Sequence, residues 1–366
     1  MFRSWTEIQA DYLQANLREL RSRLPLRCGV ISVVKANAYG HGATNVAKVL
    51  KSDSSAFAVA CLSEALELRE AVQDRDILIL GPSLPSERQE VVKHDFIPTV
   101  SSVEEAREYA KYAISQPVRL SIKIDTGMGR IGLWKDHAVA SLNTLSRLRT
   151  VSVHSIATHL AAAVEDPIFS REQLEWMEEH ASIFRKLFPG VLLHALHSAG
   201  ILEFPDHAFD LVRPGLALYG IASPEKYQHR FKPALSWKTR VIEVREVGKG
   251  RCVSYGHTFT TSEPCRLATI AIGYADGYPV QLSSSPAYVL AQGLRCPIVG
   301  RVTMDQTVVS IPKGLQVSRG DEIVLIGEQQ TEKITATDIA HWAGTIPWEI
   351  LTRIHRRVKC LFRSGQ

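Results

Sequence analysis

The chain has 366 residues, 45% hydrophobic and 22% charged, with a net charge of +5 from 43 basic and 38 acidic side chains. That length predicts two domains, and the composition is that of a globular protein with ample core. It argues against the dense basic footprint of a nucleic-acid binder and contains no apolar run of the roughly 18 residues a membrane helix needs. Six scattered cysteines without a CxxC pair argue against a disulfide framework or zinc knuckle. The opening MFRSWTEIQADYL has no apolar h-region, so no secretory signal is expected and the reducing cytoplasm is the expected compartment.

In chain order, short β-branched runs occur at 28–34 (CGVISVV), 56–60, 77–80, 97–100, 118–124 (VRLSIKI), 151–158, 191–196 and 209–212. Helical patterns lie between them. One spans 63–73, with Ala65, Leu66, Leu68 and Val72 mostly on one face; others span 102–113 and 167–188. Strands alternating with helices imply βαβ units and a parallel sheet. Eight units predict an α/β fold with a (β/α)8 TIM barrel. An open doubly wound sheet is the alternative, but no GxGxxG follows the first strand. Near Lys232–Pro233 the pattern changes to short strands separated by Gly, Pro and Ser turns, from TRVIEVREV to DEIVLIG, with one helix, TATDIAHWAG, capped by Thr335 or Thr337. The expected division is a barrel over 10–231 and a mainly-β domain over 232–366, with residues 1–9 packing on the latter. The basic run Arg353–Lys359 reads as a solvated patch or intersubunit contact.

Barrels of this kind carry their chemistry at the C-terminal ends of the strands. There the sequence sets Lys35 after the first strand, and Lys123, Asp125 and Arg130 at and after the fifth. His159 follows the sixth, His194, His197 and Ser198 the seventh, and Arg213 and Gly215 the eighth. There is no suitably placed acidic pair for glycoside hydrolysis and no GxSxG elbow. The spacing of His154, His159, His194 and His197 is not diagnostic of zinc, so no metal is expected. A lysine beside an apolar strand fits Schiff-base chemistry, because partial desolvation frees the amine as a nucleophile. Its natural partner is the aldehyde of pyridoxal phosphate (PLP). Ser198 and the amides near Gly215 follow strands seven and eight, the usual phosphate site, and Tyr39 offers another hydroxyl. Glycines in this stretch would let backbone approach the cofactor. From the residues alone, Lys35 reads equally well as a snorkelling surface lysine.

VVKANAYGHG (33–42) resembles the PLP-lysine motif of the bacterial alanine racemases, fold-type III PLP enzymes. The resemblance extends through WTEIQADYLQANL, KIDTGMGRIG, ATHLA, HSAGIL, DLVRPGLALYG, VSYGHTF, AIGYADGYP and VGRVTMDQ, in the family's order. It implies interconversion of L- and D-alanine, supplying D-alanine for peptidoglycan, by a head-to-tail homodimer with shared active sites. Lys35 would hold PLP and act as one base. Tyr274 matches the second base, arriving from the partner subunit. Arg213 resembles the arginine at the pyridine nitrogen, and Arg130 the one near the phenolic oxygen and substrate carboxylate. Lys123 matches a lysine often carbamylated, and His159 one that orients its neighbours. Tyr39, His194, Ser198 and Gly215 match positions around the cofactor; the Met304 backbone, with Asp305 beside it, matches a substrate contact.

Racemisation needs proton removal on one face and delivery on the other, hence two acid–base groups. A cation at the pyridine nitrogen would weaken the electron sink and suppress transamination and decarboxylation. Departures from the family pattern are His197 for a usual Asn, His257 for a common Arg and Thr303 for a frequent Cys. A C-terminal tyrosine is missing where Trp348 and Arg356 lie. Alternatives are a serine or broad-range racemase and a non-catalytic PLP-binding protein. The last is a single-domain type, against which the β-rich residues 233–366 argue. A decarboxylase would want a Cys near Thr303 and an acidic partner for the pyridine nitrogen, and neither is present.

Overall fold

The computed structural model describes residues 2–363. The chain divides into two units, one made of Tyr12–Ala38 and Ala43–Lys232, the other of the residues before Tyr12, Tyr39–Gly42 and the chain from Pro233 onward.

The strands, in chain order, are β1 (Ser4–Gln9), β2 (Gly29–Val33), β3 (Ala56–Val59), β4 (Asp76–Ile79), β5 (Ile97–Val100), β6 (Val118–Asp125), β7 (Leu133–Trp134), β8 (Val151–Ala157), β9 (Leu192–His197), β10 (Leu211–Arg213) and β11 (Leu235–Val247). In the first unit, β2 to β6 and β8 to β10 pair in parallel, and contacts of β10 with β2 and of β5 with β6 close the ring. The expected closed eight-stranded barrel is therefore the observed one, and β7 merely flanks β6. β3 and β5 are buried at every position. This explains why the sequence reads there as continuous apolar runs rather than as alternation.

The outer helices follow their sequence signals. Pro167–Leu187 starts where the Asp166 carboxylate accepts from Phe169 N at 3.0 Å, with proline in the first turn, and buries Leu174, Met177 and Phe184. Ser102 caps Val103–Ala110 by accepting from Glu105 N. The helix expected over 63–73 ends early, at Arg69. Ala65, Leu68 and Val72 are buried as expected, whereas Leu66 is exposed.

In the second unit β11 is the spine. It pairs antiparallel with β1, with Cys265–Ile270 and with Glu322–Gln329, and β1 pairs in parallel with Lys359–Arg363. Leu235, Trp237, Thr239 and Val241 alternate inward along it. Of the two candidate caps in TATDIAHWAG, Thr335 is the one used: its hydroxyl accepts from Asp338 N while the Asp338 carboxylate accepts from Thr335 N. All six cysteines are free thiols. Among the described residues no helix is long and apolar enough to cross a membrane.

Candidate active site

The C-terminal ends of the barrel strands gather the residues singled out in the sequence. Lys35 follows β2. Lys123 and Asp125 lie on β6, His159 just past β8, and His194 and His197 on β9. Ser198 follows β9, and Arg213 ends β10 with Gly215 close behind. Lys35 opens an unusual segment. Ala36, Asn37, Ala38 and Tyr39 all have φ near +50°, one left-handed turn of non-glycine residues. Such a conformation costs roughly 1–2 kcal/mol per residue and persists only where its surroundings hold it. Here Glu64 accepts from Ala36 N at 2.7 Å and from Ala60 N at 2.8 Å, while Asn37 Oδ1 accepts from Ala43 N at 3.0 Å. Gly40 has a structural reason to be glycine. A Cβ there would meet the Leu351 carbonyl at 2.3 Å, at a φ of +80° that already favours glycine.

Lys35 is half-buried. Burial, and then the charge of Arg130, hold its ammonium below the usual lysine range, against the opposing carboxylate of Glu64. Lys123 is buried outright. Burial, with the charges of Arg213 and Arg130, holds its ammonium well below that range, and Asp125 offsets this only in part. Burial pushes the Tyr39 phenol up to about 12.

Arg213 is buried and its partners are neutral. Nη1 meets His194 Nδ1; Nη2 donates to the carbonyls of Thr158 at 2.7 Å and Ala195 at 3.0 Å and reaches His159 Nδ1 at 3.4 Å. Burial pushes the guanidinium down to about 10. The imidazoles answer in kind. Burial, then the charge of His197, holds His159 well below the usual histidine value, and burial with Arg213 does so for His194. Burial and Arg213 push His197 down to about 4.

A stability prediction follows from these neutral imidazoles. Their folded pKa values lie below the ordinary value of about 6.5, so the unfolded chain binds more protons in acid. Stability present above that pH is lost as pH falls, down to about 4 for His197. Each group contributes about 1.4 kcal/mol per pH unit within its window. Urea unfolding is expected to lose about 3–4 kcal/mol between about pH 7.5 and about pH 5.5; equal stabilities at the two values would contradict neutral histidines here.

At this end of the barrel the role of Asp125 and the presence of Gln173 were not foreseen. The Asp125 carboxylate accepts from Gly127 N at 2.9 Å, Gly129 N at 3.1 Å and Arg130 N at 3.0 Å. Burial pushes this carboxyl up, but the backbone amides of Gly127, Met128, Gly129 and Arg130 outweigh burial and hold it below the usual range. Asp125 thus shapes the loop that carries Arg130. Gln173, from the helix Pro167–Leu187, donates to Thr126 Oγ1 at 2.9 Å and to the His159 carbonyl at 3.1 Å, and accepts from Ala161 N. Thr126 and Thr158 share a hydrogen bond of 2.6 Å. Gln173 therefore ties the loop after β6 to the loop after β8. A lone glutamine in a helix carries no sequence signal for such a role. Among the described residues no three His, Cys, Asp or Glu side chains gather as a metal site.

In the second unit, Tyr274 opens a short 3-10 turn, Tyr274–Asp276, and is 48% exposed; Met304 is 54% exposed. Backbone bonds of 3.0 Å from Tyr274 N to the Thr303 carbonyl and from Ala275 N to the Met304 carbonyl hold the two segments together.

Residues 8–223 match the family described as alanine racemase, N-terminal domain, and residues 234–362 the family described as alanine racemase, C-terminal domain. An alanine racemase of Halothermothrix orenii is 40% identical over 364 residues, covering 97% of this chain and 95% of that protein. The chain belongs to the alanine racemase family. The solved alanine racemase of Clostridium difficile 630 superposes with a TM-score of 0.94 at 32% identity, covering 100% of this chain and 97% of that one. The alanine racemase of Bartonella henselae with covalently bound pyridoxal phosphate superposes with a TM-score of 0.90 at 29% identity, covering 99% and 100%. Members of this family are PLP-dependent isomerases that interconvert L- and D-alanine, and that is the activity of this chain.

The donor set at the barrel mouth fits the cofactor. Lys35 supplies an amine of lowered basicity. Ser198 Oγ accepts from Gly215 N at 2.9 Å and from Ala217 N at 3.1 Å, which leaves its own O–H to donate to an anion. The departures from the family pattern have local explanations. His197 Nδ1 accepts from Gly200 N at 3.4 Å, capping the helix Ser198–Glu203 as an asparagine would, and its ring lies 5.0 Å from that of His159. Thr303 Oγ1 donates to the Gln306 carbonyl at 2.8 Å, which stabilises its own loop.

Proposed function

We propose that Lys35 and Tyr274 are the two acid–base groups of the racemase, that residues 10–231 form the cofactor-binding domain, and that residues 232–366 with 1–9 form the domain that carries the phenol. When bound at Lys35, PLP draws electrons from the substrate Cα and makes its hydrogen removable. Lys35 Nζ holds or returns that proton on one face, and Tyr274 Oη does so on the other. Tyr39, His159, His194, Ser198, Arg213 and Gly215 would hold the cofactor; Arg130 and the Met304 backbone would bind the alanine carboxylate. The observation that carries this reading is the pairing of a lysine of lowered basicity with a buried Arg213 whose partners are imidazoles and carbonyls, never a carboxylate. Such a cation disfavours protonation of a neighbouring ring nitrogen and so limits the electron sink to reversible proton transfer.

Tyr274 and Met304 are each about half exposed, as groups that complete a site on another chain would be. We read the enzyme as a cytoplasmic homodimer with shared sites that supplies D-alanine for peptidoglycan. Mixing inactive Lys35→Ala and Tyr274→Phe chains should restore activity, since random pairing in a two-fold dimer leaves about a quarter of the sites intact. No recovery after proven subunit exchange would overturn the shared site. Lys123, its ammonium disfavoured by burial and by Arg213, is the amine that would add CO2, releasing a proton and giving Arg130 an anionic partner. Carbon NMR with labelled bicarbonate tests this: a carbamate signal absent from Lys123→Ala supports it, and no signal rejects it.

A further inference from the structure

Arg357 belongs to the basic run that the sequence reads as a surface patch, yet its guanidinium is committed. Nε donates to Asp276 Oδ1 at 2.6 Å and Nη2 to Asp305 Oδ1 at 2.8 Å. Asp276 comes two residues after Tyr274, and Asp305 comes one residue after Met304. One planar group therefore bridges the segment that carries the phenol and the segment that carries the substrate-facing backbone. A guanidinium suits this because its donors are fixed in one plane.

The two segments also meet through backbone, where Tyr274 N and Ala275 N donate to the Thr303 and Met304 carbonyls at 3.0 Å, and Arg357 adds the side-chain link between them. Asp276 Oδ2 accepts from Gly273 N at 2.9 Å, and the Asp276 carbonyl accepts from His355 N at 2.9 Å. A Cβ at Gly273 would lie 2.3 Å from the Thr303 and Met304 carbonyls, so the backbones touch there without side-chain packing. The bridge also lines a cavity of about 550 Å3 together with Arg3 and Lys359. Arg357 is thus not wedged by close-packed neighbours, and the two carboxylates are what fix its position. The Asp276 side chain is largely buried, whereas that of Asp305 is half exposed. The buried partner anchors the guanidinium and the outer one sets its angle.

We propose that Arg357 is a positioning residue that sets the distance between the Tyr274 phenol and the Met304 backbone, and so governs proton transfer on the tyrosine face alone. This rests on Tyr274 being one of the two acid–base groups. A residue that merely stabilised the domain would affect both faces equally, and that difference is measurable.

The test follows solvent deuterium entering Cα of L-alanine and, separately, of D-alanine with the PLP-loaded enzyme, for Arg357→Gln and Asp305→Asn beside Tyr274→Phe. Tyr274→Phe identifies the enantiomer whose hydrogen the phenol removes. Arg357→Gln should then slow exchange from that same enantiomer by roughly tenfold or more, the effect of losing charge-assisted hydrogen bonds, and leave the other within about twofold. Amide exchange at Tyr274 and Ala275 should quicken in parallel. Asp305→Asn keeps the buried Asp276 contact, so it preserves the fold if Arg357→Gln does not, and should repeat the selective loss in weaker form. Equal slowing from both enantiomers, or no slowing, in a variant where Tyr274→Phe is selective would overturn the clamp while sparing the tyrosine. An unselective Tyr274→Phe would overturn the tyrosine assignment and the clamp with it.

Discussion

Replacing Lys35 by alanine is expected to abolish the visible absorption of covalently held cofactor and to lower racemisation by roughly 10³-fold or more, since in the proposed reading one side chain serves both as the attachment point and as a proton carrier. The amine follows a strand buried at all but its first position, and its ammonium is disfavoured by burial and by Arg130. The barrel mouth holds a second lysine. Lys123 is the nearest in chemistry, but it is rooted within β6 and enclosed by the charges of Arg213, Asp125 and Arg130. The left-handed turn that follows Lys35 is maintained by Glu64 and Asn37 rather than by the lysine, so the variant should fold. Retained visible absorption in Lys35→Ala would defeat the assignment of the attachment site. Retained absorption with lost turnover would show that a different amine holds the cofactor.

Replacing Tyr274 by phenylalanine should have an effect of similar size but a different form. L- and D-alanine are equal in free energy, so a variant cannot be slower in one direction than the other at the level of kcat/KM. Net racemisation should therefore fall by roughly 10²–10⁴-fold from either side, the usual worth of a positioned acid–base group. Exchange of the Cα hydrogen with solvent carries no such constraint. It should persist from the enantiomer whose hydrogen faces Lys35 and fail from the other. Tyr274 is 48% exposed, so loss of one hydroxyl should leave the unfolding midpoint almost unchanged. Unimpaired racemisation, or equal exchange from both enantiomers, would make Tyr274 structural.

The barrel was legible because parallel strands buried on both faces leave apolar runs that need no partner to be recognised, as at Ala56–Val59 and Ile97–Val100. The helix Pro167–Leu187 was legible through its long helical pattern, and its Asp166 cap emerged only in the structure. The flanking strands Ser4–Gln9 and Lys359–Arg363 were not, because they are short, mixed in polarity and paired with segments more than 200 residues away or with each other. Chemistry at strand ends was legible as residue type: Lys35, His159, His194 and Arg213 all lie where the strand count puts them. What holds them was not. The turn Ala36–Tyr39 contains no glycine to announce its left-handed backbone. Gln173 and Glu64 read as ordinary helix residues, yet each ties together two backbone segments at the barrel mouth. Arg357 was read with its basic neighbours as part of a solvated patch or intersubunit contact, because the carboxylates that engage it lie 81 and 52 residues away. Residue chemistry survives in one dimension; long-range hydrogen-bond partners do not.

The most direct test of the account is the PLP-loaded enzyme with L-alanine in heavy water, followed by proton NMR and chiral chromatography. Loss of the Cα proton signal together with the appearance of D-alanine is the result that acid–base groups on both faces predict. Loss of that signal with no D-alanine would mean that only one face is served, and would contradict the pairing of Lys35 with Tyr274.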